Sequence, residues 1–227
     1  MLCIAALCVM SLQVAAQQLD PKATAYMWAP AVMQRLQALS NFMDQSILGK
    51  PEMCTGQESL HPLSVALLEP LSFTWESVHP AKGAWRIRYR FDRCGESIVY
   101  NALFRANEHA PPTVFHLPPG TTKASAGLME ELNPGLIAAA GAHNADLKDC
   151  RLVAVTNTAV TAELGAIKAG NETLEGVWEE NWTVRTCSGP FSVDFCFIPE
   201  KNGGTMWMQS KCDPARIASA RAPPPAK

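Results

Sequence analysis

Two segments of this chain can be laid on one another without a gap. Residues 83–94, GAWRIRYRFDRC, and residues 176–187, GVWEENWTVRTC, place Gly83 on Gly176, Trp85 on Trp178 and Cys94 on Cys187, a displacement of 93 residues. The match continues: Tyr89 falls on Trp182, Phe91 on Val184, Ile98 on Phe191, Tyr100 on Val193 and Phe104 on Phe197. Upstream, Cys54 lies 31 residues before Trp85 and Cys150 lies 28 before Trp178. Strand alternation makes any two antiparallel hairpins look alike. It does not place a cysteine nine residues after a tryptophan twice. A chain with this pattern reads as duplicated.

The N-terminus sets the compartment. Residues 1–16, MLCIAALCVMSLQVAA, carry no charged side chain, have an apolar centre and place Val14 and Ala16 where signal peptidase needs small residues. They read as a secretory signal lacking the usual basic n-region, with cleavage expected before Gln17. The run is short for a membrane span and nothing later approaches eighteen uninterrupted apolar residues. Loss of Cys3 and Cys8 with the leader leaves Cys54, Cys94, Cys150, Cys187, Cys196 and Cys212 in an oxidising setting, which is a disulfide framework. No two of them have C-x2-C spacing and no histidine stands within four residues of any, so no metal is expected. The duplication implies the pairing Cys54–Cys94 and, at the equivalent place, Cys150–Cys187, leaving Cys196 and Cys212 for each other.

The elements follow from hydrophobic period. Val32, Leu36, Leu39, Met43 and Ile47 mark a helix after Pro30, stopped by Gly49 and Pro51. Strand character follows at 63–68, 71–78, 85–91, 97–104 and 113–117. Prolines and Gly120 then punctuate the chain. A second helical region, 124–142, is expected to break or kink at Pro134-Gly135, with strands after it at 151–164, 176–185, 191–198 and 205–208. The expected organisation is a signal peptide at 1–16, a first helix-plus-sheet unit at 17–119, a second at 120–213, and a proline-rich disordered tail at 214–227. The fold class is α+β: two tandem related units, each a helix followed by about four antiparallel strands, disulfide-stapled. In element order this resembles cystatin-like architectures, an analogy that carries no function.

Chemistry is less legible. G-x-S-x-G, H-E-x-x-H, the P-loop and G-x-G-x-x-G are absent, which removes the local anchors of hydrolase, zinc-protease, nucleotide and dinucleotide readings and implies no cofactor. A net charge of -2 gives no general affinity for nucleic acid. In WRIRYRF, Trp85, Ile87, Tyr89 and Phe91 take one strand face and Arg86, Arg88 and Arg90 the other, with Arg93 and Arg105 nearby. Such a row suits an anionic ligand, or is a solvated face. An enzyme of hydrolase type would need His143, Asp146 or the Glu179 and Glu180 pair to converge. Glu180 stands out because it falls where the first unit has Ile87 and should face inward. It is therefore turned out by a bulge or buried with a partner. The expected function is an exported, non-enzymatic binding or envelope-interaction protein whose partner is a protein or an anionic ligand.

The run W-E-E-x-W-x-V-x-x-C, followed by Gly203-Gly204-Thr205, resembles a segment of uncharacterised exported bacterial proteins. The resemblance covers the last quarter of the chain. It implies an envelope or secreted setting and says nothing of substrate.

Overall fold

The computed structural model describes residues 20–49, 58–75, 77–93, 95–143 and 153–222. Helices α1 (Pro21–Met27) and α2 (Pro30–Ser46) precede strands β1 (Ser59–Ser72), β2 (Lys82–Arg93), β3 (Glu96–Asn107) and β4 (Ala110–Leu117). Helix α3 (Ala126–His143) then precedes β5 (Ala154–Ala169), β6 (Glu172–Thr186), β7 (Gly189–Pro199) and β8 (Thr205–Met208), and α4 (Pro214–Arg221) follows. The strands form two four-stranded antiparallel sheets, ordered β1-β2-β3-β4 and β5-β6-β7-β8. This is an α+β fold with a helix before each sheet.

The central hairpins of the two sheets share one register. Trp85 pairs with Phe104 and Trp178 with Phe197; Arg88 pairs with Asn101 and Asn181 with Asp194. Side-chain contacts match as well. Trp85 stacks on Phe104 with ring centres 5.0 Å apart, and Trp178 on Phe197 at 4.9 Å. Arg88 Nε donates to Asn101 Oδ1 at 3.1 Å, and Asn181 Nδ2 donates to Asp194 Oδ1 at 2.8 Å.

Alternation along these strands sends one set of side chains inward and the other outward, and both sets find cover. On the inner face of the first sheet, Trp85, Ile87, Tyr89 and Phe91 pack under α1 and α2 with Val32, Leu36 and Met43. Pro30 opens α2, where its missing N–H needs no partner. The outer face of the first sheet contributes Leu103 and Leu117 to a second core made by α3 (Leu128, Leu132, Leu136) and the inner face of the second sheet (Trp178, Trp182, Phe195, Phe197). On the far side of that sheet, Val177, Cys196 and Ile198 pack with Ile217 of α4. The layers therefore run helix, sheet, helix, sheet, helix, with α3 shared between both sheets.

The structure departs from the sequence reading at three places. Of the break or kink expected at Pro134-Gly135, a break does not occur: α3 continues through Pro134, held by packing on both sides. Residues 71–78 are not a separate strand: β1 continues to Ser72 and the chain then turns. The C-terminal segment is not a disordered tail as far as Arg221. Asp213 accepts from Ala215 N at 2.9 Å as an N-cap, Pro214 occupies the first turn, and Arg221 reaches Glu172 and Glu200. One apolar residue, Ile217, is 0 % exposed, and burying such a side chain contributes about 1.5–3 kcal/mol. A single isoleucine gave no periodicity from which to read the helix.

Cys196 and Cys212 are disulfide-bonded. Cys187 also forms a disulfide. Cys54, Cys94 and Cys150, which complete the other two expected bridges, lie outside the described residues. The Cys196–Cys212 bond closes a separation of 16 residues and ties the segment before α4 to the outer face of β7. Replacing both cysteines with alanine is expected to cost about 3 kcal/mol, the chain-entropy value for a loop of this size. Amide hydrogen exchange checks the location: α4 should lose protection while α2 keeps it. Equal loss in both helices would show that α4 is not separately fastened.

Candidate functional site

The arginine row and Glu180, the two features that stood out in the sequence, meet at the same piece of backbone. Residues 118–125 link the two units, and both sheets reach for them. Arg88 donates to the Thr122 carbonyl at 2.6 Å and Arg86 to that of Ala124 at 3.4 Å. Asn101 Nδ2 donates to the carbonyls of Pro118 and Gly120, both at 3.0 Å. From the second sheet, Thr158 Oγ1 donates to the Pro119 carbonyl at 2.7 Å and accepts from Thr122 N at 3.2 Å. Gly120 N donates to Val99 O and Thr121 N to Thr158 O, each at 2.7 Å. The approach at Gly120 is close enough that a Cβ would stand 1.9 Å from the Thr158 oxygen, and φ there is +106°. Only glycine fits that position.

Glu180 completes the clamp. Its register partner is Phe195 in an unbroken β6–β7 ladder, so no bulge turns it out. It is 0 % exposed and takes three donors: Trp178 Nε1 at 2.7 Å, Trp182 Nε1 at 2.7 Å and the linker's Lys123 N at 2.8 Å. The tryptophans bracket a buried acceptor. In the first unit Ile87 holds that position, and among the described residues the indole N–H of Trp85 is correspondingly without a partner. Burial holds the Arg88 guanidinium below its ordinary pKa, with Glu180 opposing that effect; Arg86 is lowered by burial and by Arg88.

The row is thus not an open cationic surface. Arg86 and Arg88 are half-buried and turned to backbone carbonyls, while Arg90 pairs with Asp92 at 3.1 Å. Arg93 is buried against Asp44 at 2.6 Å. Glu179, expected among the wet positions, is half-buried and accepts from Cys212 N at 2.7 Å. It stands at the place of Arg86, and each fixes the segment that follows its sheet, with the donor and acceptor roles exchanged. His143 ends α3 and stacks on Phe191 at 4.6 Å. Asp146 lies outside the described residues.

One arginine of the set remains available. Arg105 lines a cleft of about 500 Å³ between the units. It is exposed and makes no hydrogen bond or ion pair among the described residues. The cleft walls are mainly apolar: Met43 and Ile47 of α2, Leu103, Phe115 and Leu117 of the first sheet, and Val153 and Val155 at the start of β5. Helix α3 presents Ala126, Met129, Glu130 and Asn133, which is an i, i+3, i+4, i+7 stripe. His116 sits at the rim 6.0 Å from the Phe42 ring, and burial lowers its pKa.

Apolar walls with a few polar groups in a space of this size have the usual composition of a ligand site. Nothing in the sequence marked Glu130 and Asn133: they lie away from the Leu128–Leu132–Leu136 face, Glu130 nearly opposite it, where exposed polar residues are ordinary. His116 and the β5 residues become neighbours only through the stacking of units, which no local pattern announces. Among the described residues no group of three His, Cys, Asp or Glu is placed to hold a metal, and no helix is long and apolar enough to cross a membrane.

No protein-family model, no curated protein and no solved structure matches the chain.

Proposed function

We propose that this is an exported, non-enzymatic binding protein whose ligand seats in the cleft between the two units. The observation that carries the reading is the cleft itself, a roughly 500 Å³ space walled by α2, the first sheet, α3 and β5, with Arg105 and Glu130, which have no ion pair among the described residues, in its lining. The clamp on residues 118–125 supports it, because a fixed linker holds the two walls in place and a preformed site spends less binding energy on ordering. Two of the residues named for an enzyme are held in the scaffold, Glu180 by three donors and Glu179 by Cys212. The disulfide is compatible with export through a leader at 1–16. The shared register of the central hairpins supports descent from a tandem duplication.

The anionic dye 1-anilinonaphthalene-8-sulfonate tests the site. It should bind the oxidised protein, and Ala154→Trp, which places an indole in the cleft, should weaken binding about tenfold or more by excluding it. Arg105→Gln should weaken it by a few-fold, the scale of one partly exposed charge. Unchanged dye affinity in a folded Ala154→Trp protein would remove the cleft from consideration.

A further inference from the structure

The cleft has the shape of a missing strand. Among the described residues β4 pairs only with β3, and β5 pairs with β6 and otherwise only with the linker, through the single Gly120–Thr158 bridge, so each is the edge strand of its sheet. The lining comes from both faces of the first sheet: Met43, Ile47 and His116 lie on the α2 side, and Leu103, Phe115 and Leu117 on the α3 side. A space touched from both faces lies at the rim of the sheet, in its plane, where the next strand would run. Across it stand Val153, Ala154 and Val155 at the beginning of β5.

An unpaired strand edge is a row of backbone donors and acceptors that ordinarily must be covered or blunted. Here it is blunted at one end only. Pro111 and Pro112 begin β4, and Arg35 covers the Pro112 carbonyl at 2.8 Å. Among the described residues, Thr113 to Leu117 carry no such guard. A small apolar molecule would bury those backbone groups without satisfying them, at a cost in free energy. An extended peptide satisfies them.

We propose that the occupant of the cleft is an extended polypeptide segment that adds to the free edge of β4. This rests on the cleft being the binding site. Side chains of such a strand alternate between the two faces. One set meets Met43 and Ile47. The other meets Leu103 and Met129, and on that side Arg105 and Glu130 have no ion pair among the described residues. The favoured segment therefore carries an acidic and a basic residue on its α3-facing side, for Arg105 and Glu130 respectively, and apolar residues on the other.

Panning a phage-displayed library of random heptapeptides on the full oxidised chain tests this, with the Ala154→Trp protein as the counter-selection. Peptides with alternating apolar positions, and with acid and base of the same parity, should be enriched on the native protein alone. A synthetic copy of the winner, methylated at one backbone nitrogen at a time, should lose affinity about tenfold or more at every second position and little between, because only alternate amides face β4. On Glu130→Lys the basic position should turn acidic. If the dye binds in the cleft but no peptide is enriched there, the site stands and the peptide proposal falls. Enriched peptides whose methylation losses show no period of two overturn it equally. If neither dye nor peptide responds to Ala154→Trp or Glu130→Lys, both readings fall together.

Discussion

Alanine at Asp44 is expected to cost about 3–5 kcal/mol, the range for removing one partner of a buried ion pair. Asp44, near the end of α2, is 1 % exposed. It accepts from Arg93 Nη1 at 2.6 Å, at the end of β2, and from the Tyr100 hydroxyl on β3. These contacts fasten the C-terminal half of α2 to the sheet below. Without the carboxylate, a buried guanidinium loses this charged contact and a buried phenol its acceptor. Urea unfolding checks the magnitude, and Tyr100→Phe supplies the comparison: it removes one hydrogen bond to a charged group and should cost about 1.5–3 kcal/mol. An Asp44→Ala protein no less stable than Tyr100→Phe would mean that the ion pair contributes nothing.

The same cluster sets an alkaline limit. Burial and then Asp44 push the Tyr100 hydroxyl well above its ordinary 10.0, and burial does the same to Tyr89. In both cases the folded state holds a proton that the unfolded state releases. Stability is therefore full below pH 10.0 and declines as pH rises through and beyond it. In Tyr100→Phe that decline should be shallower.

Glu180→Ala is expected to be nearly as damaging, at roughly 3–5 kcal/mol. It strands two indole N–H groups and one backbone N–H, and each buried donor left unsatisfied costs about 1–3 kcal/mol before relaxation. The effect should also be local in a particular way. Lys123 N belongs to the linker, so its amide should exchange faster, and the cleft should lose affinity for the dye beyond what global unfolding explains. Glu180→Ile, the residue of the first unit at this position, restores volume but no acceptor. It should recover part of the stability and none of the Lys123 protection. Full protection at Lys123 in either variant would show that Glu180 does not hold the linker.

Much of the fold could be read from residues because its signals are periodic. The strand faces of 85–91 and 176–185 and the helix over 30–46 follow from alternation or from spacing of three and four. What escaped was whatever depends on a partner far along the chain. Glu180 looked anomalous because its acceptor role becomes visible only when Trp178 and Trp182 point the same way and residue 123 arrives from the linker. Arg86 and Arg88 looked like a ligand row because nothing in WRIRYRF says that residues 122–124 will lie against them. The cleft was harder still. Its walls come from α2, two sheets and α3, and no local pattern marks any of them as one site.

The layered order leaves the molecule with two unlike ends. At one end the outer side of α2 faces solvent; at the other, the outer face of the second sheet occupies the place that the first sheet offers to α3. Were that face bare, the helix side of another copy could settle on it, and the contact would be head-to-tail. Contacts of that type do not close unless their rotation happens to form a ring, and otherwise they propagate into fibres. α4, fastened by Cys196–Cys212 and seated through Ile217, occupies the face first. A short helix with one buried isoleucine, held by one cysteine pair, thus keeps that face covered within the chain itself.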